Sequence, residues 1–137
     1  MSYAEAPGQT LTFAASADYS SATGLGSQYK IVVLGANAVC TVATAATTSP
    51  LGVLYNRPNA GDAGTVVTSG VAFVQVDSTT DIAVGDAIAS NGSGIGIKTT
   101  TATNYVLGRA LEARTANTVG IIPVLLTLGA VVPGAAA

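Results

Sequence analysis

Three observations predict an all-β fold. The apolar residues are mainly Ala and Val with Thr and Gly between them, a composition suited to pleated strands and tight turns rather than Leu-rich helices. Strand-length runs recur from Tyr29 onward, and residues that turn the chain, Gly, Asn, Asp and Pro, fall between them. Two longer runs place apolar residues on one face by alternation: Ala72, Val74 and Val76, then Ile122, Val124 and Leu126.

Residues 1–27 are rich in Ala, Ser, Thr and Gly and end in Thr23-Gly24-Leu25-Gly26-Ser27. They sustain neither a strand nor a helix period and read as an extended N-terminal arm that orders on binding a partner surface. Strands are predicted over residues 29–34, 39–43, 51–55 and 65–76, the last with a bulge at Ser69-Gly70. The cluster Asp77-Ser78-Thr79-Thr80-Asp81 hydrogen-bonds local backbone and so favours a turn. Residues 86–90 and 94–99 then form a hairpin, whose turn holds Asn91-Gly92, a pair that tolerates the positive φ of tight hairpins. Residues 106–113 and 119–126 supply two more strands. Pro123 cannot donate to a ladder and marks a sheet edge or a bulge. Residues 128–137 are read as a short C-terminal tail, which leaves 28–127 as the folded domain.

A faint echo links Leu51-Gly52-Val53-Leu54-Tyr55 with Leu107-Gly108-Arg109-Ala110-Leu111. Each is followed by a turn and another strand, which suggests pseudo-symmetric barrel halves, although two occurrences do not define a repeat protein.

Composition narrows the function. A chain of 137 residues supports one modest core. Five Lys and Arg against seven Asp and Glu give a net charge of −2, so the attraction that drives phosphate-backbone binding is missing and no nucleic-acid partner is expected. Only 9% of residues are charged while 49% are hydrophobic, which implies that part of the outer surface faces other protein. Val71 and Phe73 on one strand, with Ile121 and Leu125 on another, are the candidate interface residues, because they lie on the faces opposite the core stripes. The stretch 115–137 is uncharged but interrupted by Gly120, Pro123, Gly129, Pro133 and Gly134, so no membrane helix is expected. No basic segment precedes the apolar residues 11–17, so neither is a secretion signal.

No catalytic, cofactor or metal site is expected. The sequence has no His, which removes Ser-His-Asp and Cys-His systems and the commonest metal ligand. The single Cys40 sits in an apolar run and reads as a buried small hydrophobe. Residues 92–99 resemble a glycine-rich phosphate loop, but Ile97 separates Gly96 from Lys98 and no helix follows, so a glycine hairpin is the better reading. Asp77, Asp81 and Asp86 lack the spacing of a calcium loop and read as turn caps. Asp62 and Glu112 stand apart from them. A Ser-Lys pair built on Lys30 or Lys98 is the one hydrolase arrangement open without His, and no motif selects a pair.

Two segments carry a family resemblance. One is Ser49-Pro50-Leu51-Gly52-Val53-Leu54-Tyr55-Asn56-Arg57-Pro58 continuing through Ala60-Gly61 and Val66 to Ser69-Gly70-Val71-Ala72. The other runs from Asp81-Ile82-Ala83-Val84-Gly85-Asp86 through Tyr105-Val106-Leu107-Gly108-Arg109-Ala110-Leu111-Glu112-Ala113 to Ile121-Ile122-Pro123-Val124-Leu125-Leu126. Together they resemble the small decoration, or capsid cement, proteins of tailed-bacteriophage heads. The resemblance implies a small β-barrel-like domain of the β-tulip type, commonly a homotrimer, made in the host cytoplasm and bound through the major capsid protein between capsomers on the outer head surface. There it would stabilise the shell against internal DNA pressure without being an enzyme. The alternative is an adhesive or carbohydrate-binding head-fibre module, against which stands the absence of Trp and the scatter of the five Tyr and two Phe.

Overall fold

The computed structural model describes residues 6–20 and 26–132. Among the described residues eleven strands follow one another: β1 (Ala6–Pro7), β2 (Thr10–Ala14), β3 (Ile31–Leu34), β4 (Cys40–Val42), β5 (Gly52–Leu54), β6 (Ala63–Val67), β7 (Gly70–Val76), β8 (Ala87–Ser90), β9 (Gly96–Lys98), β10 (Tyr105–Ala110) and β11 (Gly120–Val131). A 3-10 turn at Ala36–Ala38 joins β3 to β4.

The strands close into two rings in tandem. Barrel 1 runs β2-β6-β5-β3-β4, and the bridge Ala15↔Cys40 returns it to β2. Barrel 2 runs β7-β11-β10-β8-β9, and the pair Val76↔Gly96 returns it to β7. Five strands cannot alternate direction all the way round, so each ring must hold one parallel joint. It lies at Ala15↔Cys40 in one and Val76↔Gly96 in the other. Closure removes the sheet edges that would otherwise recruit foreign strands.

The two rings are in register with each other strand by strand. Val32 pairs with Gly52 as Ile88 does with Gly108; Leu54 pairs with Val66 as Ala110 does with Val124; and Leu34 pairs with Cys40 as Ser90 does with Gly96. The turns agree as well, since Gly35 N donates to Val39 O as Asn91 N does to Ile95 O. The chain is therefore an internal duplication, and the echo around Gly52 and Gly108 falls on the fourth strand of each copy.

Each barrel is small enough that side chains fill it. Val32, Cys40, Leu54 and Val66 fill barrel 1, with Tyr19 across one end, its hydroxyl held by Ser16 Oγ at 2.9 Å and Val42 N at 3.1 Å. Ala72, Val74, Val76, Ile88, Ile122 and Val124 fill barrel 2 and are fully buried, as the alternation predicts. Cys40 is buried among them in barrel 1, and burial pushes its thiol pKa up.

Four expectations are corrected. The described part of the N-terminal segment is not an arm: β1 pairs with β7, β2 pairs with β6, and Ala15 and Tyr19 are buried. Thr10-Leu11-Thr12-Phe13-Ala14 hides its strand character because only Phe13 of the five is even half-buried. Residues 1–5 and 21–25 lie outside the described residues. Ser69-Gly70 is not a bulge but the passage between barrels, where Gly70 takes φ 84°. Pro123 lies mid-sheet; its carbonyl accepts from Leu111 N just beyond the end of β10, so its missing donor faces the point where that ladder has stopped. The C-terminal boundary at residue 127 falls inside β11, which continues to Val131 opposite Tyr105. Residues 133–137 lie outside the described residues.

Candidate functional site

Polar chemistry is sparse and structural. Asp81 Oδ1 accepts from Ala116 N at 2.7 Å, and Asp86 Oδ2 accepts from Ala83 N at 2.8 Å and meets Lys98 Nζ at 3.4 Å. Both carboxylates thus cap turns, and among the described residues no three His, Cys, Asp or Glu side chains gather as metal ligands. The glycine-rich segment is a hairpin held by Asn91, whose Oδ1 accepts from Ser93 N at 2.8 Å and Ile95 N at 3.0 Å. The left-handed residue of that turn is Gly94, φ 74°, rather than Asn91 or Gly92. No helix among the described residues is long and apolar enough to cross a membrane.

The geometry of the outer surface follows from how the barrels dock. Ile31, Val53 and Val67 form one row on the outer wall of barrel 1, and each is 1% exposed or less because barrel 2 covers it. The covering face is the mouth of barrel 2. Gly94 O accepts from Ile31 N at 2.8 Å, Ala46 O accepts from Tyr105 N at 2.8 Å, and Tyr29 O accepts from Gln75 N at 2.9 Å. Gln75 Nε2 also donates to Gln28 O, and the Phe73 ring meets Tyr29 edge-on at 6.0 Å. The void left between Ile31, Ala43, Ser90 and Tyr105 is about 10 Å³.

The equivalent row on barrel 2 is Ala87, Arg109 and Leu125. There the wall is open: Arg109 is exposed and Leu125 is 43% exposed. A cleft of about 310 Å³ lies beside it, lined by Ala87, Lys98, Thr99, Arg109, the end of β11 at Ala130 and Val131, and Val132 just beyond it. Arg109 Nη1 donates to Gly85 O at 3.4 Å along its rim.

The four residues singled out from the sequence sit on the outer faces of β7 and β11, where Val71 pairs with Leu125, Phe73 with Pro123, and Ile121 with Gln75. Val71, Phe73 and Ile121 are half-buried, and Phe73 packs within the chain against Tyr29. Leu125 is the member that opens to solvent. Leu34, Val84 and Val119, at 56%, 64% and 71% exposure, extend the apolar surface. Alternation alone could not find them, because each lies at the end of a run, where the pattern stops before the side chain is placed.

Two closed five-stranded barrels docked wall to mouth, with the second wall open at Arg109 and Leu125, define a structural β-barrel module. Residues 6–126 match the phage cement protein family, and the chain belongs to it. It is a structural component of the phage virion at the capsid surface. Its fold is similar to that of the N base of the head fibre protein gp8.5 of bacteriophage phi29, with a TM-score of 0.58 and 21% identity, over 87% of this chain and 93% of that one. No curated protein sequence matches the chain.

Proposed function

We propose that this cement protein binds the outer surface of the expanded head between capsomers, as a homotrimer held by the major capsid protein, and stabilises the shell against internal DNA pressure. The observation that carries this reading is the family match over residues 6–126, on a molecule whose outer faces are poor in charge and rich in exposed apolar residues. A ligand that binds only the assembled shell stabilises it by mass action. A multimer joined to several capsomers at once leaves only when all its contacts release together. Of the four candidate residues, Val71, Ile121 and Leu125 are left for the subunit contact, with Leu125 the exposed member, because Phe73 packs against Tyr29 of its own chain.

The test mixes the purified protein with expanded heads that lack it, and follows co-sedimentation together with the temperature of DNA release. Saturable binding with a raised release temperature supports the proposal; an unchanged release temperature at saturation overturns the stabilising role. The fold shared with a head fibre base favours a second reading, in which the chain anchors a surface fibre. Saturable binding without stabilisation is the outcome that reading expects.

A further inference from the structure

The duplication gives the molecule two walls and two mouths, and the docking of its halves consumes only one of each. The wall of barrel 1, Ile31, Val53 and Val67, is sealed by the mouth of barrel 2. Among the described residues, the wall of barrel 2 and the mouth of barrel 1 are left over. Four mouth residues that are buried or half-buried in barrel 2 have exposed equivalents in barrel 1: Leu34 for Ser90, Ala38 for Gly94, Thr12 for Phe73 and Ala14 for Gln75. The turn Ala36–Ala38 is exposed throughout, and Asn37 and Ala38 hold φ of 60° and 57°, so it presents the same left-handed corner that Gly94 places on barrel 1.

We infer that copies of this chain associate head to tail, the mouth of barrel 1 at Leu34 and Ala36–Ala38 seating on the wall of barrel 2 at Ala87, Arg109 and Leu125 of the next copy. This rests on the self-association proposed above and goes beyond it by naming two unlike faces. The intrachain junction supplies the template. Where Ile31 and Ala43 meet the mouth of barrel 2 the residual void is about 10 Å³, whereas at their equivalents Ala87 and Thr99 the cleft is about 310 Å³. The extra room has a use, because Ala38 carries a Cβ that Gly94 lacks. A Cβ on Gly94 would come within 2.6 Å of Val42 Cγ1, while the equivalent of Val42 on the open wall is the flexible Lys98. The polar groups also suit each other: Arg109 and Lys98 donate, and the turn brings the Asn37 amide and its own carbonyls. An interface between unlike faces closes into a ring when the rotation between copies permits it.

The experiment uses the full chain, with Leu34→Lys on the mouth and Leu125→Lys on the wall, both at exposed positions, and melting curves to confirm that each variant folds. Mass is read by light scattering against protein concentration. The wild type is expected to rise above 13.4 kDa, and each variant alone to lose self-association by about 100-fold or more, since each brings a further positive charge into a contact that already holds Arg109 and Lys98. An equimolar mixture of the two variants retains one intact mouth and one intact wall, and is expected to form a one-to-one dimer. A mixture that stays monomeric, or variants that keep the wild-type mass, overturns the inference. A wild type that binds heads saturably yet remains a 13.4 kDa monomer in solution overturns this contact while leaving the cement reading standing.

Discussion

Gly52 and Gly108 occupy the same place in the two halves of the chain. Each lies against a backbone carbonyl of the fifth strand of its barrel, so that a Cβ would come within 2.2 Å of Val67 O in one and 2.1 Å of Leu125 O in the other. The close approach lets the fourth and fifth strands cross tightly at the wall, where barrel 1 receives barrel 2.

Substitution by Ala at either position is therefore expected to destabilise strongly, by about 3 kcal/mol or more, because backbone and not a flexible side chain has to yield. Urea unfolding of Gly52→Ala and Gly108→Ala, with midpoints compared at constant slope, measures this. A loss below the cost of an ordinary surface change at both sites would show that the strands shift apart freely.

Cys40 gives a pH dependence with a definite sign. Burial raises its pKa above the ordinary thiol value of 9.0. Below that value the thiol is protonated in folded and unfolded chains alike, and its contribution to stability is whole. As pH rises beyond it, the unfolded chain ionises first, so stability falls. Melts between pH 8 and 10 should show this slope in the wild type and a smaller one in Cys40→Ala, and alkylation of the native thiol should be about 100-fold slower than in urea.

The Asn91 turn holds by side-chain acceptance rather than by a left-handed Asn. Asn91→Ala is expected to cost about 1–2 kcal/mol by leaving Ser93 N and Ile95 N without their acceptor, while Asn91→Asp keeps the oxygen and loses less. Thermal melts of the pair decide between this and a turn governed by Gly92.

Asp86 and Lys98 form a partly exposed ion pair, so the pair itself is expected to contribute under about 1 kcal/mol. Asp86 also accepts from Ala83 N, and Asp86→Ala should cost more than Lys98→Ala by about 1 kcal/mol, the worth of that turn hydrogen bond. A double-mutant cycle separates the two contributions.

The strands of barrel 2 were legible because Ala72, Val74, Val76 and Ile122, Val124, Leu126 fill an interior, and filling an interior writes alternation into the chain. Barrel 1 was half legible. Its wall is as buried as its interior, so Ile31 and Val32 are both hidden and the period is lost, and β2 presents Thr10, Thr12 and Ala14 outward with only Phe13 reaching the core. The duplication showed only at Gly52 and Gly108, the positions where backbone contact forbids a side chain. Elsewhere equivalent residues meet different neighbours: Val53 is covered where Arg109 meets solvent. Leu125 was readable as an outward-facing apolar residue, whereas the place of Phe73 on Tyr29 depends on a docking between halves that no local pattern encodes.

A ring of odd membership carries a seam, and here both seams fall at the end of the first strand of the ring. Each is narrow: Ala15↔Cys40 followed by Ser16 N to Cys40 O, and Val76↔Gly96 followed by Asp77 N to Gly96 O. Four joints of each barrel are antiparallel ladders, while the fifth is little more than a clasp. Opening either ring at its seam takes the loss of one bridge and its flanking hydrogen bond, whereas opening it at any other joint breaks an antiparallel ladder.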